Sequence, residues 1–98
     1  MKVYISGAIT GTDDYMERFA EAEKVITDVG YTAVNPAKIN SNLPKVTTYE
    51  EYMKLSMCLL EMCDAIYMLD GWEESNGANE ELKHAITHKK TVCFEKMI

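Results

Sequence analysis

The chain has 98 residues, 47% of them apolar, with 16 acidic against 10 basic side chains and a net charge of −6. That length supports one domain with a real core and leaves no room for a second. The negative balance excludes the basic face on which nucleic-acid binders depend, although a helix N-terminus can still hold one small anionic ligand through its backbone N–H groups.

Short β-like runs alternate with longer helix-period runs, the pattern of a parallel sheet with crossover helices. The first run, Lys2 to Ser6, stops at Gly7. From Tyr15, apolar residues recur at Phe19, Ala22, Ile26 and Val29, an amphipathic helix that Thr12 or Asp13 can cap and Gly30 can end. Tyr31 to Asn35 reads as a second strand ended by Pro36, and the aperiodic stretch to Val46 reads as a long loop of the lid or binding type. Thr48 with Glu51 forms a capping-box pattern for a helix to about Met62. That helix is apolar on two sides, Tyr52, Leu55, Leu59 and Met62 on one and Tyr49, Met53, Met57 and Leu60 on the other, so one face should cover the sheet and the other should meet another subunit. Ala65 to Leu69 reads as the third strand, about Gly77 to Lys89 as the third helix, and Thr91 to Phe94 as the fourth strand.

The expectation is a small three-layer α/β fold, Rossmann-like or flavodoxin-like, with a four-stranded parallel sheet of order 2-1-3-4 spanning one domain, 1–98. Cys58, Cys63 and Cys93 form no C-x-x-C pair and read as free thiols, so neither a metal nor another cofactor is called for. No apolar run approaches the roughly eighteen residues of a membrane span, and the first strand follows Met1 directly; we expect a cytoplasmic protein with no membrane partner and no signal peptide.

In such sheets a ligand sits beyond the carboxyl ends of the strands where the strand order reverses. Two loops flank that point here, Gly7-Ala8-Ile9-Thr10-Gly11-Thr12 and the segment from Asp70 to Gly77, and both lead into helix N-termini. Their glycines either make turns or let backbone approach a ligand closely, and they match neither the P-loop nor the G-x-G-x-x-G pattern. On the third helix the two glutamates separate by phase. At about 100° per residue and with Ala78 as zero, Leu82 at about 40°, Ile86 at about 80° and Ala85 at about 340° define the core stripe, while Glu81 falls at about 300° and Glu80 at about 200°. Glu81 thus borders the core between two small alanines and Glu80 faces water. A carboxylate beside apolar side chains in a cleft is a candidate nucleophile or acid/base group, and pairing with Lys83, His84 or His88 is the structural alternative. Trp72 and Tyr67 either stack on a ligand or pack; His84 and His88 read as a solvated helix face, the methionines as core or interface.

At these residues the sequence resembles the nucleoside 2-deoxyribosyltransferase superfamily, including its 2'-deoxynucleoside 5'-phosphate N-hydrolase branch. Within it, the chain is most similar to a phage- and bacteria-associated domain family of unassigned function. The resemblance spans essentially the whole chain. It is carried by Val3-Tyr4-Ile5-Ser6-Gly7-Ala8-Ile9-Thr10-Gly11, by Cys63-Asp64-Ala65-Ile66-Tyr67-Met68-Leu69, and above all by Gly71-Trp72-Glu73-Glu74-Ser75-Asn76-Gly77-Ala78-Asn79-Glu80-Glu81 with Ala85. Gly77, Glu81 and Ala85 reproduce the family's spacing of a glycine, the catalytic glutamate and an alanine. Ser75 resembles the serine that the phosphate-hydrolysing branch uses on its ligand, which tilts the reading toward a nucleoside monophosphate. Tyr4 stands where several transferases place a tyrosine near the nucleophile, and Ser56 stands where many members carry a sugar-binding aspartate. Asp70 could substitute for that aspartate in part, whereas Asp64 sits too far from the ligand rim.

The implied activity is cleavage or transfer of an N-glycosidic bond on a (deoxy)nucleoside or its 5'-monophosphate, by hydrolase or transferase chemistry, with Glu81 as nucleophile. The alternative is a nucleotide-binding or sensing module that kept the pocket and lost turnover. Glu81 is the expected catalytic residue; Tyr4, Ser6, Gly7, Ala8, Ile9, Asp70, Ser75 and Gly77 are the expected substrate-binding residues. The expected partners are a small nucleoside or nucleotide, with no nucleic-acid polymer, and a second copy of the chain through helix 48–62, since related enzymes complete their sites with a neighbouring subunit.

Overall fold

The computed structural model describes residues 1–96; Met97 and Ile98 of the expected domain lie outside the described residues. The elements run β1 (Lys2–Ser6), α1 (Tyr15–Asp28), β2 (Thr32–Val34), α2 (Pro36–Asn40), α3 (Tyr49–Glu61), β3 (Ala65–Met68), a 3₁₀ turn at Trp72–Glu74, α4 (Asn76–Thr87) and β4 (Thr91–Phe94). The four strands form one sheet in the order β2-β1-β3-β4. All three pairings are parallel, with Val3 opposite both Ala33 and Ala65, Ser6 opposite Met68, and Met68 opposite Phe94. This is the expected strand order.

β1 is an inner strand, and its side chains alternate between two cores. Val3 and Ile5 pack with Phe19, Ala22 and Ile26 of α1 and with Ala37 of α2. Tyr4 points the other way, into a cluster with Leu60, Ile66, Met68, Ala78 and Ala85 under α3 and α4. Period-2 alternation places Ser6 on the Tyr4 side, which fixes the site described below.

Thr48 and Glu51 make the expected capping box: the Thr48 hydroxyl accepts from the Glu51 N–H at 3.2 Å, and the Glu51 carboxylate accepts from the Thr48 N–H at 2.8 Å. Gly30 takes the left-handed conformation (φ 91°) just past α1, as its end requires. The start of α1 differs from expectation. Its N-cap is Asp14, which makes no side-chain cap bond, while the Thr12 hydroxyl donates to the Ile9 carbonyl and ties up the glycine loop.

The stretch from Asn35 to Val46 is not aperiodic throughout, because it opens with α2. The Asn35 side chain accepts from the Lys38 N–H, and Pro36 occupies the first turn, where its missing N–H costs nothing. Pro36 thus has two roles: it stops the strand, as expected, and it also starts a helix. Val29 and Ile86, expected on buried stripes, are 64% and 61% exposed. For Ile86 the cause is phase: the buried arc of α4 comprises Glu81, Ala85 and Ala78, and Ile86 lies about 100° or more from its centre.

Gly7 is held by steric need. A Cβ there would lie 2.9 Å from both Cβ and Cδ1 of Leu69, where the ends of β1 and β3 converge. Gly7→Ala is therefore expected to lower unfolding stability by about 1–3 kcal/mol through overpacking, whereas Ile86→Ser at the exposed position should stay within about 0.5 kcal/mol. Denaturant midpoints of the two variants check the contrast, and equal midpoints would contradict it.

Candidate functional site

The site forms where β1, α3 and α4 meet at the carboxyl rim of the sheet. Glu81 stands one turn into α4, is 6% exposed, and is the one acidic or basic residue in the buried set of the described residues. Both of its oxygens are engaged by β1. Tyr4 donates from its phenol to Oε2 at 2.6 Å, and Ser6 donates from its hydroxyl to Oε1 at 2.6 Å. A same-face pair two residues apart on one strand thus clamps a carboxylate more than seventy residues away in sequence.

Burial pushes the Glu81 carboxyl above its ordinary value; the hydrogen bonds from Ser6 and Tyr4, with the nearby Ser56 hydroxyl, pull it back in part, and the Glu80 carboxylate adds a smaller upward push. The Tyr4 phenol is raised well above its usual range by burial and by the negative charge of Glu81, so it remains a proton donor at neutral pH. Ser56, at the middle of α3, is 5% exposed and faces the same carboxylate.

Above Glu81 opens a cleft of about 910 Å³. Gly7, Ile9 and Thr10 of the first loop form one side, Ser75, Gly77 and Ala78 at the start of α4 another, and Tyr49, Tyr52, Met53 and Ser56 of α3 a third. Asn40 and Ser41 at the end of α2 reach the same space, so the segment expected to be a binding loop does border the cleft. Ser75 caps α4, accepting from the Ala78 N–H at 3.2 Å. The Asn79 side chain donates to the carbonyls of Ser75, Glu73 and Trp72, at 2.8, 3.1 and 3.4 Å, and staples the 3₁₀ turn to the helix. Gly77 lets α3 approach, since a Cβ there would stand 3.3 Å from the Met53 sulfur and 3.6 Å from the Tyr49 hydroxyl.

Of the residues singled out from sequence, Glu81, Tyr4, Gly7, Ile9, Ser75 and Gly77 line the cleft, and Ser6 reaches it through its bond to Glu81. Ala8 is half-buried in the first loop and is not part of the lining. Asp70 lies outside it. Past β3 the chain turns at Gly71 (φ 88°), and Asp70 sits beside a separate open depression, its N–H donating to Glu95 at 2.7 Å and its carbonyl accepting from Arg18. Asp70 therefore does not substitute for a carboxylate at position 56. Asp64, at the opposite end of β3, accepts from the Lys2 N–H at 2.9 Å, far from the rim as expected.

Glu80, assigned to open water by helical phase, is exposed but lies on the cleft's edge. Trp72 packs on Phe94 with ring centroids 5.9 Å apart, and Tyr67 packs on the α1 side of the sheet; neither lines the cleft. Five other aromatics do: Tyr4 on β1, and Tyr15, Phe19, Tyr49 and Tyr52, which the helix periods assign to apolar stripes. His84 and His88 stack at 4.0 Å, with His84 Nε2 3.8 Å from Glu61 Oε1. No helix among the described residues is long and apolar enough to cross a membrane.

A family model described as a domain of unknown function (DUF4406) matches residues 1–94. No curated protein matches the chain. Among solved structures, the 2-deoxyribosyltransferase of the psychrotolerant bacterium Bacillus psychrosaccharolyticus is similar over 100% of this chain and 77% of its own, with a TM-score of 0.77 and 18% sequence identity. At that identity the likeness is one of fold.

The raised Glu81 carboxyl has a stability consequence. The folded protein keeps a proton that the unfolded chain has already lost, so stability is full below the ordinary carboxyl range and falls as pH rises through the raised folded value. Glu81→Gln has no such proton to lose, and its stability relative to the parent should increase as pH rises from about 4 to about 7. Denaturant titrations at the two pH values measure this; a relative stability that declines over that interval would contradict it.

Proposed function

The chain belongs to the DUF4406 family, and from that premise we propose that it cleaves or transfers the N-glycosidic bond of a (deoxy)nucleoside or its 5'-monophosphate, with Glu81 as nucleophile. The observation that carries this reading is the buried carboxylate clamped by Tyr4 and Ser6 beneath an open cleft. A charge kept in so dry a place is costly, and two donors aimed at it leave it oriented and ready rather than neutralised by an ion pair. The fold shared with a 2-deoxyribosyltransferase supports the same direction.

In the proposed reaction a Glu81 oxygen attacks C1' of the sugar. The C1'–N bond breaks, its electron pair leaves with the base nitrogen, which takes up a proton, and a glycosyl ester of Glu81 forms. Water or a second base then attacks C1' and returns the carboxylate. Tyr4 and Ser6 hold the two oxygens in one orientation throughout, the positioning on which such a step depends. Gly7, Ile9, Ser75 and Gly77 are the proposed backbone and side-chain contacts to the ligand, and Tyr15, Tyr49 and Tyr52 are the faces on which a base would stack. The whole of 1–98 is taken as one deoxyribosyltransferase-like domain. Self-association through α3 belongs to the same reading, on the helix's two apolar sides, one of which is available to a second copy.

A second reading, a nucleotide-binding module without turnover, is favoured by one observation. Position 56 holds a buried serine, so Glu81 has no second buried carboxyl beside it among the described residues to assist the leaving base or hold the sugar.

Incubation with deoxynucleosides and their monophosphates, following free base, separates the two. Glu81→Gln is expected to lower base release by on the order of 10³-fold or more. Tyr4→Phe, which removes one donor worth about 1–3 kcal/mol, should lower it roughly tenfold to hundredfold. Release that survives Glu81→Gln would remove Glu81 from the mechanism; a ligand that raises Tm with no release from any substrate would favour the binding module.

A further inference from the structure

The charges around the cleft restrict what its ligand can carry. Among the described residues, the lining includes three carboxylates, Glu74, Glu80 and Glu81, and neither a lysine nor an arginine. Glu81 lies at the floor, while Glu74 and Glu80 are exposed at the mouth. Burial is what chiefly raises the Glu81 carboxyl and the Tyr49 hydroxyl, and Glu80, on the cleft's edge, adds a smaller upward push to each, so its charge bears on the cleft and not only on the solvent. Arg18 gives no relief: it sits on the separate depression, bound to the Asp70 carbonyl and 3.6 Å from Glu95.

A phosphate monoester carries close to two negative charges at neutral pH and normally finds arginine, lysine or free helix-terminal N–H groups. Helix N-termini are what favours an anion here, those of α1, α3 and α4 all reaching the cleft, and at α4 the Ser75 hydroxyl oxygen already accepts from the Ala78 N–H. A phosphate at that place would also face the mouth carboxylates, and like charges brought together without a counter-ion discriminate strongly against a ligand.

We infer that Glu80, supported by Glu74, is a specificity-determining residue that admits an unphosphorylated N-glycoside and turns away its 5'-phosphate. This rests on the proposed function and departs from the tilt toward a monophosphate that Ser75 suggested by resemblance. Glu80 acts through its charge at the mouth and takes no part in bond making.

Titration calorimetry with the four common 2'-deoxynucleosides and their 5'-monophosphates tests it, at about 50 mM and about 500 mM salt, on the parent protein, Glu80→Gln and Glu80→Lys. The side chain of Glu80 is exposed, so neither substitution disturbs the core. The best nucleoside should bind about tenfold or more tightly than its own monophosphate at low salt, and the gap should narrow at high salt and in Glu80→Gln. In Glu80→Lys it should close or reverse. A monophosphate bound as tightly as its nucleoside by the parent would overturn the inference, as would a gap unmoved by both salt and Glu80→Lys. Base release measured in parallel keeps this separate from the catalytic proposal. Glu81-dependent release that prefers monophosphates sinks the inference and leaves the proposed reaction standing. Nucleoside-selective binding without release does the reverse, and no binding of any compound overturns both.

Discussion

A carboxylate removed from water must be compensated, and in this protein the compensation comes from a single strand. Tyr4 and Ser6 lie two residues apart on β1, so the pleat turns both hydroxyls to the face covered by α3 and α4. Glu81 meets them because α4 presents it on the same arc as Ala78 and Ala85, whose small side chains let the helix sit close to the sheet. The parallel order β2-β1-β3-β4 makes β1 an inner strand, and its carboxyl end is also where the sheet reverses direction of growth. One polar contact thus lies at the intersection of strand alternation, helix phase and sheet topology, and moving any of the three separates the carboxylate from its donors.

The elements around that contact are arranged to leave space above it. Gly7 allows the ends of β1 and β3 to close on each other through Leu69, and Gly77 allows α3 to lay Met53 and Tyr49 against the start of α4. Ser75 and Asn79 then fix the entry of α4 through four hydrogen bonds to nearby backbone. Stability alone would be better served by an apolar side chain at position 81, since a buried acid with a raised pKa lowers stability at neutral pH. On the proposed reading, a fold that keeps such a group, orients it twice over and leaves a cleft above it trades stability for function, as happens where local rules are broken at a site.

Much of this arrangement was legible in the sequence because it is periodic. Strand and helix periods, with the right-handed crossover rule, specify the layers and the strand order, and helical phase separates Glu81 from Glu80. What escaped is what periodicity does not encode. Pro36 carries two meanings, strand stop and first residue of a helix, and only the Asn35 cap distinguishes them. Ile86 was placed in the core because the phase argument took the arc's centre too far from Glu81. Asp70 left the site at a left-handed glycine, a local turn whose direction depends on where Arg18 and Glu95 stand. Tyr49, Tyr52 and Glu80 were read as a stripe or as solvent-facing because a cleft between two helices exposes side chains that a single-helix projection assigns elsewhere. Ser6 as the second donor to Glu81 was within reach, since it shares a strand face with Tyr4.

The most direct test of the central claim looks for the bond itself. A deoxynucleoside carrying fluorine at the sugar 2' position slows both halves of a substitution at C1' and lets a glycosyl ester accumulate. Intact-protein and peptide mass spectrometry after incubation should find the sugar without its base attached to the peptide that contains Glu81, and nothing attached in Glu81→Gln. Base release from the unsubstituted nucleoside with no adduct under these conditions, or an adduct on any other residue, would contradict Glu81 as the nucleophile.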